Sequence, residues 1–249
     1  MKDQAIIITG ATSGMGKAIA TQLAQKGAKL LINGRDENKG KSLLKELKEF
    51  SEAHFIAGDV SNPELNKKLV EEALSNFGKI TGVITNAGTL GLGSVTDMSI
   101  EDWHYTLNTN LNAFFYLTKY AIPHIKKEKG FIIANASIAA FKSFPNHAAY
   151  CASKAALVSL GKQMAVDYGP DIRINAICPG PVDTPLIWDS AKAFTDPETA
   201  VSNAAKATLL KRLGKPGDIA NLVEFLISEK ASWITGSAIT IDGGIMASH

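Results

Sequence analysis

The chain has 249 residues, 45% of them hydrophobic and 20% charged, a globular composition that excludes disorder as its main theme. With 26 Lys and Arg against 24 Asp and Glu its formal charge is +2, so nothing calls for a nucleic-acid or other polyanionic partner. Two cysteines, Cys151 and Cys178, offer neither a disulfide framework nor metal-ligand spacing, and no apolar run approaches the ~18 residues of a membrane span. The expectation is no metal, no membrane span and, since the apolar run at residues 5–8 is too short for a secretion signal, a cytoplasmic location.

In chain order, short β-branched runs predict strands over residues 5–9, 29–33, 54–58, 82–85, 131–134, 172–177 and 238–241. Between them, apolar residues at helical spacing predict helices over 14–26, 37–50, 63–77, 100–126, 148–168 and 217–228. Ser61-Asn62-Pro63-Glu64 carries a helix-start signal, with Pro early in the helix. Most strands are apolar on both faces, as in a sheet covered on both sides. The alternation predicts an α/β, doubly wound Rossmann fold, with a seven-stranded parallel sheet flanked by helices on both faces. No repeat or linker divides it, so residues 1–249 are expected to form a single domain. Residues 183–213 break the rhythm and are expected to form a lid or binding loop.

Thr9-Gly10-Ala11-Thr12-Ser13-Gly14-Met15-Gly16 follows the first strand and opens the first helix. Glycines permit a tight turn and close backbone approach, and a helix N-terminus offers free N–H groups to a pyrophosphate. A P-loop is excluded, because Ala11 stands where its first Gly belongs and Lys17 is followed by Ala18. An ordinary βα turn stays open on this cluster alone. The second strand runs into Gly34 and Arg35 rather than an acid. An acid there would bind the ribose hydroxyls of NAD, whereas Arg35 suits a 2'-phosphate. NADP(H) is therefore expected over NAD(H), with Asp36 one step on still within reach of a ribose.

Ser137 follows the fifth strand, Tyr150 comes 13 residues later, and Lys154 four after that. Residues at i and i+4 share a helix face, so the phenol and ammonium point into one space. A neighbouring cation lowers a phenol's pKa, which would let Tyr150 exchange a proton with a carbinol or carbonyl oxygen while Ser137 donates a hydrogen bond to it.

Together these residues, with Asp59-Val60, Asn86-Ala87-Gly88, Asn110 and Pro179-Gly180, resemble the short-chain dehydrogenase/reductase family over essentially the whole chain. The resemblance implies that Tyr150 is the general acid/base, that Lys154 lowers its pKa and holds the nicotinamide ribose, and that Ser137 polarises the substrate oxygen. Asn110 would hold a water linking Lys154 to solvent. Gly10, Thr12, Ser13, Gly14, Met15, Gly16 and Arg35 would approach the phosphates. Asp59 would contact adenine beside Val60, and Asn86, Ala87 and Gly88 would line the cofactor. Pro179, Gly180, Val182 and Thr184 would meet the carboxamide. A homotetramer built on the helices 100–126 and 148–168 is also implied.

The residues expected to face substrate are Thr89, Leu90, Ile138, Ala139, Phe144, His147, Pro181, Leu186 and Trp188, mostly apolar and without Arg or Lys. They favour a small or medium neutral, fairly hydrophobic alcohol or ketone. His147 reads either as a polar anchor or as a loop histidine, and Phe141, Phe144, Trp188 and Phe194 either as lid or as packing aromatics. The expected activity is NAD(P)(H)-dependent interconversion of a secondary alcohol and a ketone. A 3-oxoacyl-thioester reductase is the alternative, and a non-catalytic nucleotide-binding scaffold a further one.

Overall fold

A computed structural model describes residues 1–247; Ser248 and His249, the end of the expected 1–249 domain, lie outside the described residues. The strands are β1 (Ala5–Thr9), β2 (Lys29–Gly34), β3 (Ala53–Ala57), β4 (Gly82–Thr85), β5 (Phe131–Asn135), β6 (Arg173–Pro179) and β7 (Ala238–Ile241). The helices are α1 (Gly14–Gln25), α2 (Glu37–Lys48), α3 (Pro63–Phe77), α4 (Ile100–Leu107), α5 (Ala113–Ile125), α6 (Ala148–Tyr168), α7 (Pro185–Ala191), α8 (Pro197–Ala207) and α9 (Pro216–Ile227). The described strands form one parallel sheet in the order β3-β2-β1-β4-β5-β6-β7, the doubly wound arrangement expected, with strand ends within two residues of those read from the sequence.

The two-residue period of a strand decides which side chain faces which layer. Ile6, Ile8, Leu30 and Ile32 pack with Leu23 of α1, Leu43 of α2 and Val223 of α9. Ile7 and Leu31 point the other way, onto Leu69 of α3, Leu117 of α5 and Leu157 of α6. Each isoleucine of β1 is fully buried, a contribution of about 1.5–3 kcal/mol apiece. The sheet's order reverses between β1 and β4, and the crevice at such a switch point is where doubly wound folds take ligands.

Helix starts follow from local chemistry. Asn62 Oδ1 accepts from Glu64 N at 2.9 Å with Pro63 in the first turn of α3, and Asp36 Oδ1 accepts from Lys39 N at 3.0 Å to cap α2. Two expectations are corrected. The helix read over 100–126 is α4 and α5 separated by a π-helical turn at Asn108–Asn112, an inserted residue of the kind that re-aims side chains. The stretch 183–213 is not an open loop, because Pro185 and Pro197 start α7 and α8. Asp196 caps α8 by accepting from Thr199 N at 3.1 Å.

Candidate active site

The glycine turn after β1 is packed directly on the end of β4. Gly10 has φ +61°, and a Cβ there would lie 2.6 Å from Ala87 Cα; one on Gly16 would lie 2.2 Å from the Gly10 carbonyl oxygen. Only glycine lets the two chain segments come this close. Asn86 stitches them together: its N–H points to Thr9 Oγ1 at 3.2 Å, its Nδ2 donates to Gly10 O at 2.8 Å, and its Oδ1 accepts from Asn135 Nδ2 at 2.7 Å. Ser13 precedes α1 in extended backbone without a side-chain cap, and no acidic residue stands in the first turn. The N–H groups of that turn are left for an anion.

The turn forms one wall of a cleft of about 300 Å³. Gly10, Thr12, Ser13, Gly14 and Met15 line it on this side. Arg35, Asp59 and Val60 line its outer end, and Asn86, Ala87, Gly88, Thr89, Tyr150 and Lys154 line its inner end. Gly16 acts from behind by letting the turn close. At the outer end Arg35 Nη1 donates to Tyr105 Oη at 2.9 Å, and Tyr105 Oη donates to Asp59 Oδ2 at 2.9 Å. Burial opposes ionisation of Asp59, but hydrogen bonds from the Ser61 N–H and Tyr105, with the Arg35 charge, outweigh it and hold the carboxyl below its usual range. Among the described residues, the buried atoms Asn135 Oδ1 and Thr109 Oγ1 have no hydrogen-bond partner, and both residues line this cleft. Close backbone, an uncapped helix start, Arg35 and these free acceptors fit a nicotinamide dinucleotide. The turn would take its pyrophosphate, Arg35 its ribose 2' end, and Lys154 its inner ribose.

The inner end opens into an apolar chamber of about 370 Å³. Tyr150 and Thr184 border both cavities, as do Met15 and Leu186. Pro179, Gly180 and Val182, read as cofactor contacts, stand on the chamber wall rather than in the nucleotide cleft. Ser137, extended at the start of a short 3-10 turn, accepts from Ala139 N at 3.0 Å and hydrogen-bonds the Tyr150 phenol. Lys154 lies one turn along α6, with Nζ 5.6 Å from the centroid of the Tyr150 ring, and donates to Asn135 O at 2.8 Å. The π-helical turn aims Asn110 at the same spot. Its Oδ1 accepts from Thr89 N at 2.8 Å, while Nδ2 donates to Thr89 O at 2.8 Å and to Ser153 Oγ at 2.9 Å. Both amide protons are used, so the side chain clamps Thr89 to α6.

Burial pushes the Tyr150 hydroxyl up to about 12, against the pull of its hydrogen bond with Ser137, and pushes Lys154 down to about 8. Desolvation of the phenol thus outweighs its hydrogen bond with Ser137. Of the substrate candidates, Phe144, His147 and Leu186 line the chamber with Leu90, Ile138 and Ala139, whereas Trp188 lines neither cavity and is 45% exposed. Phe194 reaches the chamber and Phe141 does not. Sequence reasoning missed Tyr105, Asn135, Ser153 and Ser190. Only Ser153, inside the Tyr150–Lys154 segment, carried a local signal.

A doubly wound sheet whose switch-point cleft meets a Ser–Tyr–Lys group defines a Rossmann-fold oxidoreductase. The chain belongs to the short-chain dehydrogenase/reductase family, whose members bind NAD(P)(H): residues 10–246 match the family model described as enoyl-(acyl carrier protein) reductase. It is 38% identical over 245 residues to an uncharacterised oxidoreductase of Thermotoga maritima, covering 97% of each chain. Among solved structures it is similar to levodione reductase, at 30% identity and TM-score 0.95 with all of both chains covered. It is also similar to L-sorbose reductase of Gluconobacter frateurii in complex with NADPH and L-sorbose, at 31% identity and TM-score 0.92 with all of both chains covered. Among the described residues no helix is long and apolar enough to cross a membrane.

Proposed function

We propose that the protein is an NAD(P)(H)-dependent oxidoreductase that interconverts a secondary alcohol and a ketone and prefers NADP(H). The observation that carries this reading is the placement of Tyr150 where a dinucleotide-shaped cleft meets an apolar chamber, with Ser137 beside it on the chamber wall. A bound nicotinamide supplies or takes the hydride. In reduction, Ser137 orients and polarises the ketone oxygen, and Tyr150, protonated, gives it the phenolic proton. Lys154 holds the inner ribose from the same helix face and places a positive charge beside the phenolate left behind. Asn110 keeps Thr89 and Ser153 in register beneath them.

None of the described residues lining the chamber is charged, which suits an uncharged, fairly hydrophobic alcohol or ketone. Residues 183–213, now α7 and α8, form the lid of the same NAD(P)-binding domain. Exposed Phe115 on α5 and Val166 on α6 suit burial by a second subunit, in support of a homotetramer that light scattering would measure. Unpaired Cys151 and Cys178 suit a reducing cytoplasm.

The test is Tyr150→Phe, assayed by nicotinamide absorbance against ketones, alcohols and an acetoacetyl thioester with both cofactors. Loss of general acid catalysis lowers kcat by about 10²–10⁴, while NADPH still binds by fluorescence titration. Turnover that persists unchanged in Tyr150→Phe refutes the assignment.

A further inference from the structure

Close to Tyr150, the chamber has a further polar point formed by His147 and Ser190. His147 precedes α6 and is 3% exposed, with its ring centroid 6.1 Å from those of both Phe144 and Tyr150. Its Nδ1 lies 2.6 Å from Pro145 O and its Nε2 lies 2.8 Å from Ser190 Oγ on α7. A carbonyl oxygen only accepts, so Nδ1 carries the ring proton. Both ring nitrogens meet neutral partners, which the uncharged imidazole matches with one donor and one acceptor. Nε2 is then a bare acceptor and takes the single proton of the Ser190 hydroxyl. What Ser190 presents to the chamber is lone pairs alone.

Resting on the oxidoreductase reading above, we propose that Ser190, fixed in this polarity by His147, is a specificity-determining residue that accepts a hydrogen bond from a second hydroxyl of the substrate. The substrate class is an uncharged hydroxy ketone, or the corresponding diol in the oxidative direction. An ether or carbonyl oxygen at the same position would face lone pairs with lone pairs and be disfavoured. The chain runs Pro145 O, His147 Nδ1–H, His147 Nε2, Ser190 Oγ–H, substrate hydroxyl, with each donor's proton assigned by the acceptor before it.

The test compares 4-hydroxycyclohexanone with 4-methoxycyclohexanone and cyclohexanone, each with NADPH and NADH, by kcat/KM. One neutral hydrogen bond predicts a hydroxyl-over-methoxyl preference of about tenfold, which falls toward unity in Ser190→Ala. In His147→Phe the Ser190 proton is released to donate, and the preference falls as well although Ser190 remains. Circular dichroism and NADPH titration establish that each variant is folded. A merely structural tie between α7 and α6 would lower kcat/KM for all three ketones alike and leave the ratio in place. That result, or the absence of a hydroxyl preference in the parent enzyme, overturns the proposal while leaving the oxidoreductase standing. No turnover of any ketone with either cofactor overturns the oxidoreductase reading, and this inference with it.

Discussion

Replacing Arg35 with alanine removes the positive charge at the outer end of the nucleotide cleft. The geometry there leaves little else to read a ribose 2' position. A Cβ on Gly34 would sit 2.5 Å from the Thr12 side chain, so an acid cannot occupy the end of β2, and Asp36 caps α2. Of the described residues lining the cleft, only Arg35 and Lys154 are basic, and Lys154 belongs to the inner end. One Arg35 donor is held by Tyr105 Oη at 2.9 Å, which orders the guanidinium and leaves its other donors for a phosphate. A charge-assisted hydrogen bond is worth about 1.5–3 kcal/mol when well shielded. Arg35 is exposed, so two such bonds are discounted to roughly 2 kcal/mol in all. That corresponds to about a 30-fold rise in the Kd for NADPH. NADH lacks the 2'-phosphate and should change by less than about threefold, on the same arithmetic. Fluorescence titration of both reduced cofactors measures this without any substrate, and added salt should shrink the NADPH effect. Equal weakening of NADPH and NADH, or of neither, would refute the assignment of Arg35 to a phosphate.

Two further outcomes are expected from the described contacts. With Tyr150 held up to about 12 and Lys154 down to about 8, the phenol stays protonated while the ammonium loses its proton as pH rises through about 8. The kcat for ketone reduction should therefore fall on that alkaline limb, and Lys154→Arg, whose charge persists, should shift the limb upward; a limb that stays at the same pH in the variant refutes the link to Lys154. Asn175, 1% exposed, donates to Ile234 O at 2.8 Å and accepts from Ser237 N at 3.1 Å. Asn175→Ala leaves both backbone groups unpaired and should lower stability by about 2–4 kcal/mol, read by urea unfolding; a change under about 0.5 kcal/mol would mean that water replaces both bonds.

The strands were legible because each is short, β-branched and buried on both faces, so composition alone marks them. Helix starts were legible where the cap is local, as at Asn62-Pro63. The same local signals, Pro185, Asp196 and Pro197, also mark α7 and α8, but a long Pro-containing stretch with few apolar repeats reads more readily as loop. The break in the helix at Asn108–Asn112 had no such signal. A π-turn costs the helix one misplaced hydrogen bond, and here the tertiary contacts of Asn110 with Thr89 and Ser153 repay it. Those partners are 21 and 43 residues away.

The same division runs through the site. Spacing brought Tyr150 and Lys154 together correctly, because i,i+4 geometry is a property of the helix itself. Spacing says nothing of the packing around the pair, which acts on both groups as well. α6 can hold the pair against β5 and the chamber only by burying it, and burial works against ionisation of both partners: the phenol rises and the ammonium falls. Tyr105, Asn135 and Ser190 were invisible for a related reason. Each meets its partner across the fold, Tyr105 on Arg35 70 residues away and Ser190 on His147 43 residues away, a pairing that no local spacing announces.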